Sequence, residues 1–372
     1  MITVTGATKW VGVTLLLASV AGLWLVANPQ ANSWEYTSSP YRLGQVFLSM
    51  EGPGEVRQGI KLAGKEDELL WLTGYEAIMV DEAGDKQLSQ EFMCHNSLFL
   101  DSTVSDYRAL LGTRVYGSPR VFTLAQGAYR IELPPGFAIP FPSRQALQLQ
   151  SQVLNLVPEH VGQAVRHKIR SEFVADRSLW RKPRPLFLVE ATGRALLKDP
   201  VSKVPSAELP ARGRTRTDGL GRVTTGHWQV PPGVHENVTR VTTELGLPFD
   251  TTVHYATSHL HPYARWQELR DLTTGTVVYR VEATSSTDGR SLVKIPAYSS
   301  TQGLALFANH DYELATEYEN TTAEPVTAMS ILFLYCWDKE FQGYDPARSD
   351  SFKPTQAPAM ELDDLCSAPS QP

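Results

Sequence analysis

Short β-rich runs dominate the body of the chain, some of them alternating apolar and polar residues with a period of two, the pattern of strands laid on a core. Residues 326–337 (VTAMSILFLYCW) are apolar at nearly every position and predict a central strand covered on both faces. Residues 305–307 and 312–318 flank Asn309-His310-Asp311 and predict two strands around a turn. Residues 276–283 (TVVYRVEA) and 292–297 are further β-rich runs, with Asp288-Gly289 between them as a hairpin-type turn. From Ala164 the pattern puts Val165, His167 and Ile169 on one face and Arg166, Lys168 and Arg170 on the other, which predicts a strand. Residues 126–141 carry Pro134-Pro135-Gly136 and Pro140, which fit turns and sheet edges. Clean helical periodicity is scarce. Many short strands at regular spacing predict an all-β chain of the sandwich or jelly-roll type.

Residues 10–27 (WVGVTLLLASVAGLWLVA) break the pattern: they are uncharged and almost wholly apolar. As a helix, a run of this length spans about 27 Å, enough for a hydrocarbon layer. Lys9 precedes it and Glu35 follows, so the positive-inside rule leaves the amino terminus in the cytoplasm and the body in the periplasm. The run is read as a retained single-pass anchor in the inner membrane. A cleaved signal peptide, with Ala31-Asn32-Ser33 as its small-x-small site, is the alternative. No cysteine follows the run directly, which argues against a lipoprotein. From about residue 338 the chain turns polar and proline-rich and is expected to be a tail. The expected organisation is therefore 1–33 stub and anchor, 34–180 first sandwich, 181–222 linker and domain entry, 223–340 second sandwich, and 341–372 tail.

Composition narrows the function. The 372 residues carry a net charge of −6, which argues against nucleic-acid binding. Three cysteines exclude a disulfide-dense scaffold and a four-cysteine zinc site. There is no Gly-rich phosphate loop and no G-x-S-x-G elbow, so acyl-transfer chemistry has no support. The basic stretch 211–222 (ARGRTRTDGLGR) reads as a solvated linker, or as a docking element for an acidic partner.

Candidate chemistry concentrates in the histidines. In 253–263 (VHYATSHLHPY), His259 and His261 stand two apart on an expected strand, which sends both imidazoles to one face where they could share a metal. His254 has the opposite parity and is expected to point away. Met329, in the last core strand, could add a soft thioether ligand, although core filling is the commoner use of such a residue. Cys94-His95-Asn96 is a second candidate, and His167 could reach the same region, with ordinary core histidines as the competing reading. His227 and His235 flank a Pro-rich turn and read as loop residues.

These pieces, in this order, resemble the copper type II, ascorbate-dependent monooxygenases, the family of peptidylglycine hydroxylating monooxygenase and dopamine β-monooxygenase. The resemblance covers roughly Phe92 to Tyr335. His259-Leu260-His261, followed by 265–280 as a returning hairpin, looks like the family's second-domain copper strand. Residues 311–335, with Tyr318, Asn320, Thr321 and Met329, look like the segment carrying the methionine ligand. Leu133-Pro134-Pro135-Gly136 resembles the turn before the last copper strand of the first domain, and Cys94-His95-Asn96 matches the double-histidine motif in part. The resemblance implies two antiparallel jelly-roll sandwiches, each with one copper face. It also exposes departures. The first copper site would need three imidazoles, but only His95 stands in place. Asn96 and Gln152 occupy the other two positions, with His167 as a partial replacement. An amide is a poor substitute for imidazole at copper.

The reading is an all-β protein of two antiparallel β-sandwich (jelly-roll) domains with an N-terminal transmembrane helix. It is expected to serve as a non-catalytic accessory subunit of a larger membrane complex, for example an electron-transfer or photosynthetic one. Its expected partners are the other subunits and the lipid bilayer, and its expected metal is at most one copper ion. A copper-dependent monooxygenase with a rearranged first site is the alternative. A periplasmic copper-binding protein using only His259, His261 and Met329 is the third possibility.

Overall fold

A computed structural model describes residues 31–348, apart from 48, 50, 63–66, 102–103, 114, 116, 197–214 and 218–220, and strands dominate it as the period-two pattern predicts. The apolar run 10–27 and residues 349–372 lie outside the described residues. Among the described residues no helix is long and apolar enough to cross a membrane.

Two units repeat one topology. In the first, Asn32–Thr37, Ala164–Ala175, Leu69–Asp81 and Phe137–Pro142 lie side by side. Gly54–Ile60, Leu147–Val153, Met93–Leu100 and Arg120–Ala125 form the sheet across the core from them. In chain order these are the first, eighth, third and sixth principal strands against the second, seventh, fourth and fifth. The second unit has the same order. Arg184–Thr192, Val326–Trp337, Thr251–Leu260 and Tyr298–Leu306 stand in one sheet. Gly233–Arg240, Tyr312–Asn320, Ala264–Asp271 and Thr276–Glu282 stand in the other. This is the jelly-roll arrangement of paired Greek keys. The two units are also joined directly. Arg184 and Pro185 pair in parallel with Phe137 and Ala138, so one sheet runs through both.

The central strand explains its own composition. Along Val326–Trp337, Ile331, Phe333 and Tyr335 pack with the first core, among Tyr75, Phe122 and Phe141. Leu332, Leu334 and Cys336 point the other way, into the second core with Leu260, Leu269 and Tyr312. A strand wedged between two cores has no solvent face, so it carries no alternation of polarity. Pro140 fits the Phe137–Pro142 strand because the parallel pairing covers only Phe137 and Ala138, so its missing N–H is not needed on that side.

Some expectations need correction. The second unit starts at Arg184, inside the stretch expected as linker and domain entry. The Asp288-Gly289 turn, with Gly289 at φ +72°, joins the short pair Thr284–Ser285 and Leu292–Lys294, while Thr276–Glu282 pairs with Ala264–Asp271. Residues 341–348, assigned to the tail, fold back on the first unit. Phe341 packs its ring on Trp71 at 5.6 Å, and the amides of Gln342 and Asp345 donate to the carbonyls of Leu111 and Leu110. Those carbonyls end the Val104–Leu111 helix, an element too short to leave a readable period.

Candidate functional site

The seam between the units is polar where it meets the histidines. On Met93–Leu100 a bulge between Met93 and His95 sets the register, and His95 then lies opposite Gln152 and Ala125. Beyond the bulge, Asn96 and Leu98 face the interior of the first sandwich, whereas His95, Ser97 and Phe99 face the second unit. Across the seam stands the outer face of the second unit's long sheet, carrying Glu190, Phe333, Ile331 and His259.

Here the histidines gather. His259 and His261 share a face, as their spacing predicts, with ring centroids 5.7 Å apart. His95 approaches His259 from the first unit at 6.3 Å. His227 opens the short strand His227–Val230 and lies 5.7 Å from His261. Register sets the methionine among them. His227 pairs with Met329 and Leu260 pairs with Ser330, so His227, Met329 and His261 form one row across three strands. Tyr318 holds that row from beneath. Its hydroxyl accepts the backbone N–H of His261 at 3.2 Å and donates to the Met329 carbonyl.

Protonation follows from burial. His261 donates from Nδ1 to the Thr327 carbonyl at 3.3 Å, which leaves its Nε2 as a buried lone pair without a partner. Nε2 of His227 and Nδ1 of His95 are likewise buried and unpaired. Desolvation pushes His95 down to about 3, with the Arg120 guanidinium adding to the effect, and pushes His227 down to about 4. It holds His259 and His261 well below the usual histidine range, and their imidazole neighbours push the same way. All four rings are neutral at pH 7, the state in which imidazole binds metals.

The first-unit set does not converge. Asn96 uses its amide for structure: Oδ1 accepts from the Tyr75 hydroxyl, and Nδ2 donates to Nδ1 of His167 at 3.3 Å. His167 is fully buried, lowered to about 4 by desolvation, and edges onto Tyr41 at 5.8 Å. Gln152 donates to the Gly52 carbonyl at 2.8 Å. Strand parity therefore splits the expected remnant site. His95 and Gln152 lie on the seam face, whereas Asn96 and His167 lie inside the sandwich. These residues do not fit a copper ion.

The second set fits in part. Among the described residues no three His, Cys, Asp or Glu side chains are placed to hold one ion. The seam offers imidazoles with a thioether in the same row, a donor set suited to Cu(I). Other histidines are spent elsewhere. His254 hydrogen-bonds the Ser300 carbonyl and Thr252 at 2.9 and 2.8 Å and stacks on Phe137; a bulge between Val253 and Tyr255 interrupts the alternation on which its expected facing rested. His310 pairs with Asp271 at 2.7 Å. His227 is the residue the loop reading missed, and the alternation of His227-Trp228-Gln229-Val230 was its signal.

No family model and no curated protein matches this sequence. Among solved structures the chain is similar to PNGF-II, at 9% identity and a TM-score of 0.35, over 86% of this chain and 67% of that one. It is also similar to the STIV MCP, at 9% identity and a TM-score of 0.32, over 83% of this chain and 98% of that one.

Proposed function

We propose that this protein is a membrane-tethered accessory subunit of a larger membrane assembly, with its body on the periplasmic side, and that it is not itself an oxygenase. The observation that carries this reading is the use of Asn96: its amide is committed to Tyr75 and His167, on the face opposite His95. A copper ion in the first unit would find one seam imidazole and no converging partners. The seam histidines are also closed in. His95, His259 and His261 are 6%, 5% and 2% exposed, which leaves little room for a substrate to meet them.

A second reading has its own support. The unpaired Nε2 of His261 and the row with Met329 favour a single soft ion, Cu(I), held by His259, His261 and Met329. Such an ion would supply one-electron redox chemistry or be carried as cargo. His227 stands beside the same row.

The test uses the full chain extracted in mild detergent. Other subunits are expected to co-purify, with at most one copper per chain and no substrate-coupled oxygen uptake under ascorbate. A chain that purifies alone with two tightly held coppers and consumes oxygen with substrate is a monooxygenase. One copper that disappears in the His259→Ala, His261→Ala double variant supports the second reading.

A further inference from the structure

Trp180 is 100% exposed. It stands in the turn 176–184 (DRSLWRKPR), between the last strand of the first unit and the first strand of the second. This turn carries four cations against one carboxylate. Asp176 is already committed, accepting the Trp71 indole N–H at 2.8 Å and the Lys182 ammonium at 2.7 Å. Arg177 pairs with Glu68, and Arg184 lies over the rings of Phe137 and Trp337 at 4.9 and 5.7 Å. Arg181, next to the bare indole, is exposed and has no partner among the described residues.

Topology says what lies nearby. Asn32 pairs with Phe173, close to the end of Ala164–Ala175, and the Trp180 turn leaves from that same end. Four residues lie between Ala27, the last of the apolar run, and Asn32, and these five Cα–Cα steps reach at most about 18 Å when extended. A bilayer holding residues 10–27 therefore comes up to the end of the sandwich that displays the turn.

We propose that Trp180 and Arg181 form a second contact with the membrane, the indole at headgroup depth and the guanidinium on anionic lipid headgroups. This rests on the membrane-tethered reading above. Tryptophan is favoured at that depth because its ring is apolar with one polar edge, and arginine and lysine are drawn to an anionic surface. A single tether leaves the body free to rotate about it. A second contact at the junction of the two units fixes which face looks along the membrane.

The experiment places a polarity-sensitive dye on Ser178→Cys, in a Cys366→Ser background of the full chain reconstituted into vesicles. Cys94 and Cys336 are buried. With phosphatidylglycerol present, the dye is expected to shift to the blue and to be quenched by nitroxide lipid, and pure phosphatidylcholine is expected to give neither effect. High salt, or Arg181→Glu, is expected to reduce quenching roughly twofold or more. Trp180→Ala is expected to reverse the blue shift. A chain retained in the vesicles with a water-like dye in both lipids overturns the contact and leaves the tether standing. A dye shielded in native membranes but not in lipid vesicles overturns it in favour of a protein partner. A chain that stays out of the vesicles defeats the tether reading. The contact then survives only if this chain floats with phosphatidylglycerol vesicles and the Trp180→Ala variant does not.

Discussion

Asn96 donates its side-chain amide to Nδ1 of His167 across the interior of the first sandwich, at 3.3 Å, while Tyr75 donates to the amide oxygen from the same side. The amide is thus the middle of a buried chain of three polar groups, and its neighbour His95 faces the other way, into the seam. Asn96→Ala is expected to destabilise the protein by about 1–3 kcal/mol, because it leaves Tyr75 and His167 unpaired in the core. Asn96→His alone is expected to leave copper stoichiometry unchanged, since position 96 does not look toward His95. Metal analysis and urea denaturation check the two halves separately. A gain of one copper in the Asn96→His variant would mean that the interior and seam faces communicate.

Much of the fold was legible because it rests on local alternation. The span 326–337 reads as one strand from its apolar run, and the facing of Val165, His167 and Ile169 follows from parity alone. The pairing of His259 with His261 was legible for the same reason. What was not legible depends on contacts far apart in the chain. That His95 meets His259 depends on two sandwiches packing together, and no local pattern encodes that meeting. Cys94-His95-Asn96 suggested one site, yet adjacent strand residues face opposite ways once the bulge sets the register. His227 was hidden by the Pro-rich turn after it. Phe341 and Tyr344 were hidden in a segment whose average composition is polar.

The buried imidazoles predict acid lability. Burial lowers His95 to about 3, and His167 and His227 to about 4, from the ordinary 6.5. The unfolded chain takes up these protons near pH 6.5, and the native state refuses them until about pH 4. Stability from these groups is therefore complete above about pH 7. It falls as pH drops toward 4, at about 1.4 kcal/mol per pH unit for each histidine protonated only when unfolded. Urea melts at a series of pH values should show that slope, and His227→Gln should make it shallower by one histidine's share. An identical slope in the variant would place the acid sensitivity elsewhere.

Tyr318 bridges the strands of His261 and Met329, accepting the backbone N–H of His261 and donating its hydroxyl hydrogen bond to the Met329 carbonyl. Tyr318→Phe is expected to cost about 1–3 kcal/mol of stability. If Cu(I) binds, it should also lose about 10- to 100-fold in affinity, the usual penalty for removing a group that orients ligands. Competition with a Cu(I) chelator gives the affinity, and chemical denaturation gives the stability. Lost stability with unchanged affinity would make the tyrosine structural only and separate the row from the metal.

Arg120 and Glu190 pin the seam from opposite units. Their side chains are 11% and 7% exposed, with Nε and Oε1 at 3.2 Å. Ser118 adds a hydroxyl to the same carboxylate oxygen. Arg120 also donates to Ser97 and Thr123 at 3.2 and 2.9 Å, and its guanidinium lies over the rings of Phe99 and Phe333. A charge this buried is costly when stranded. Arg120→Met alone, or Glu190→Leu alone, is expected to destabilise by about 3–5 kcal/mol, and the double variant by clearly less than the sum. The arginine has a second effect, because its charge helps to hold the His95 imidazole neutral. In Arg120→Met the His95 titration seen by NMR should therefore move up from about 3 toward the ordinary range, while His167, lowered by its own burial, should stay near 4. Strict additivity of the two substitutions, together with an unmoved His95, would show that the pair neither locks the units together nor sets the field at the histidines.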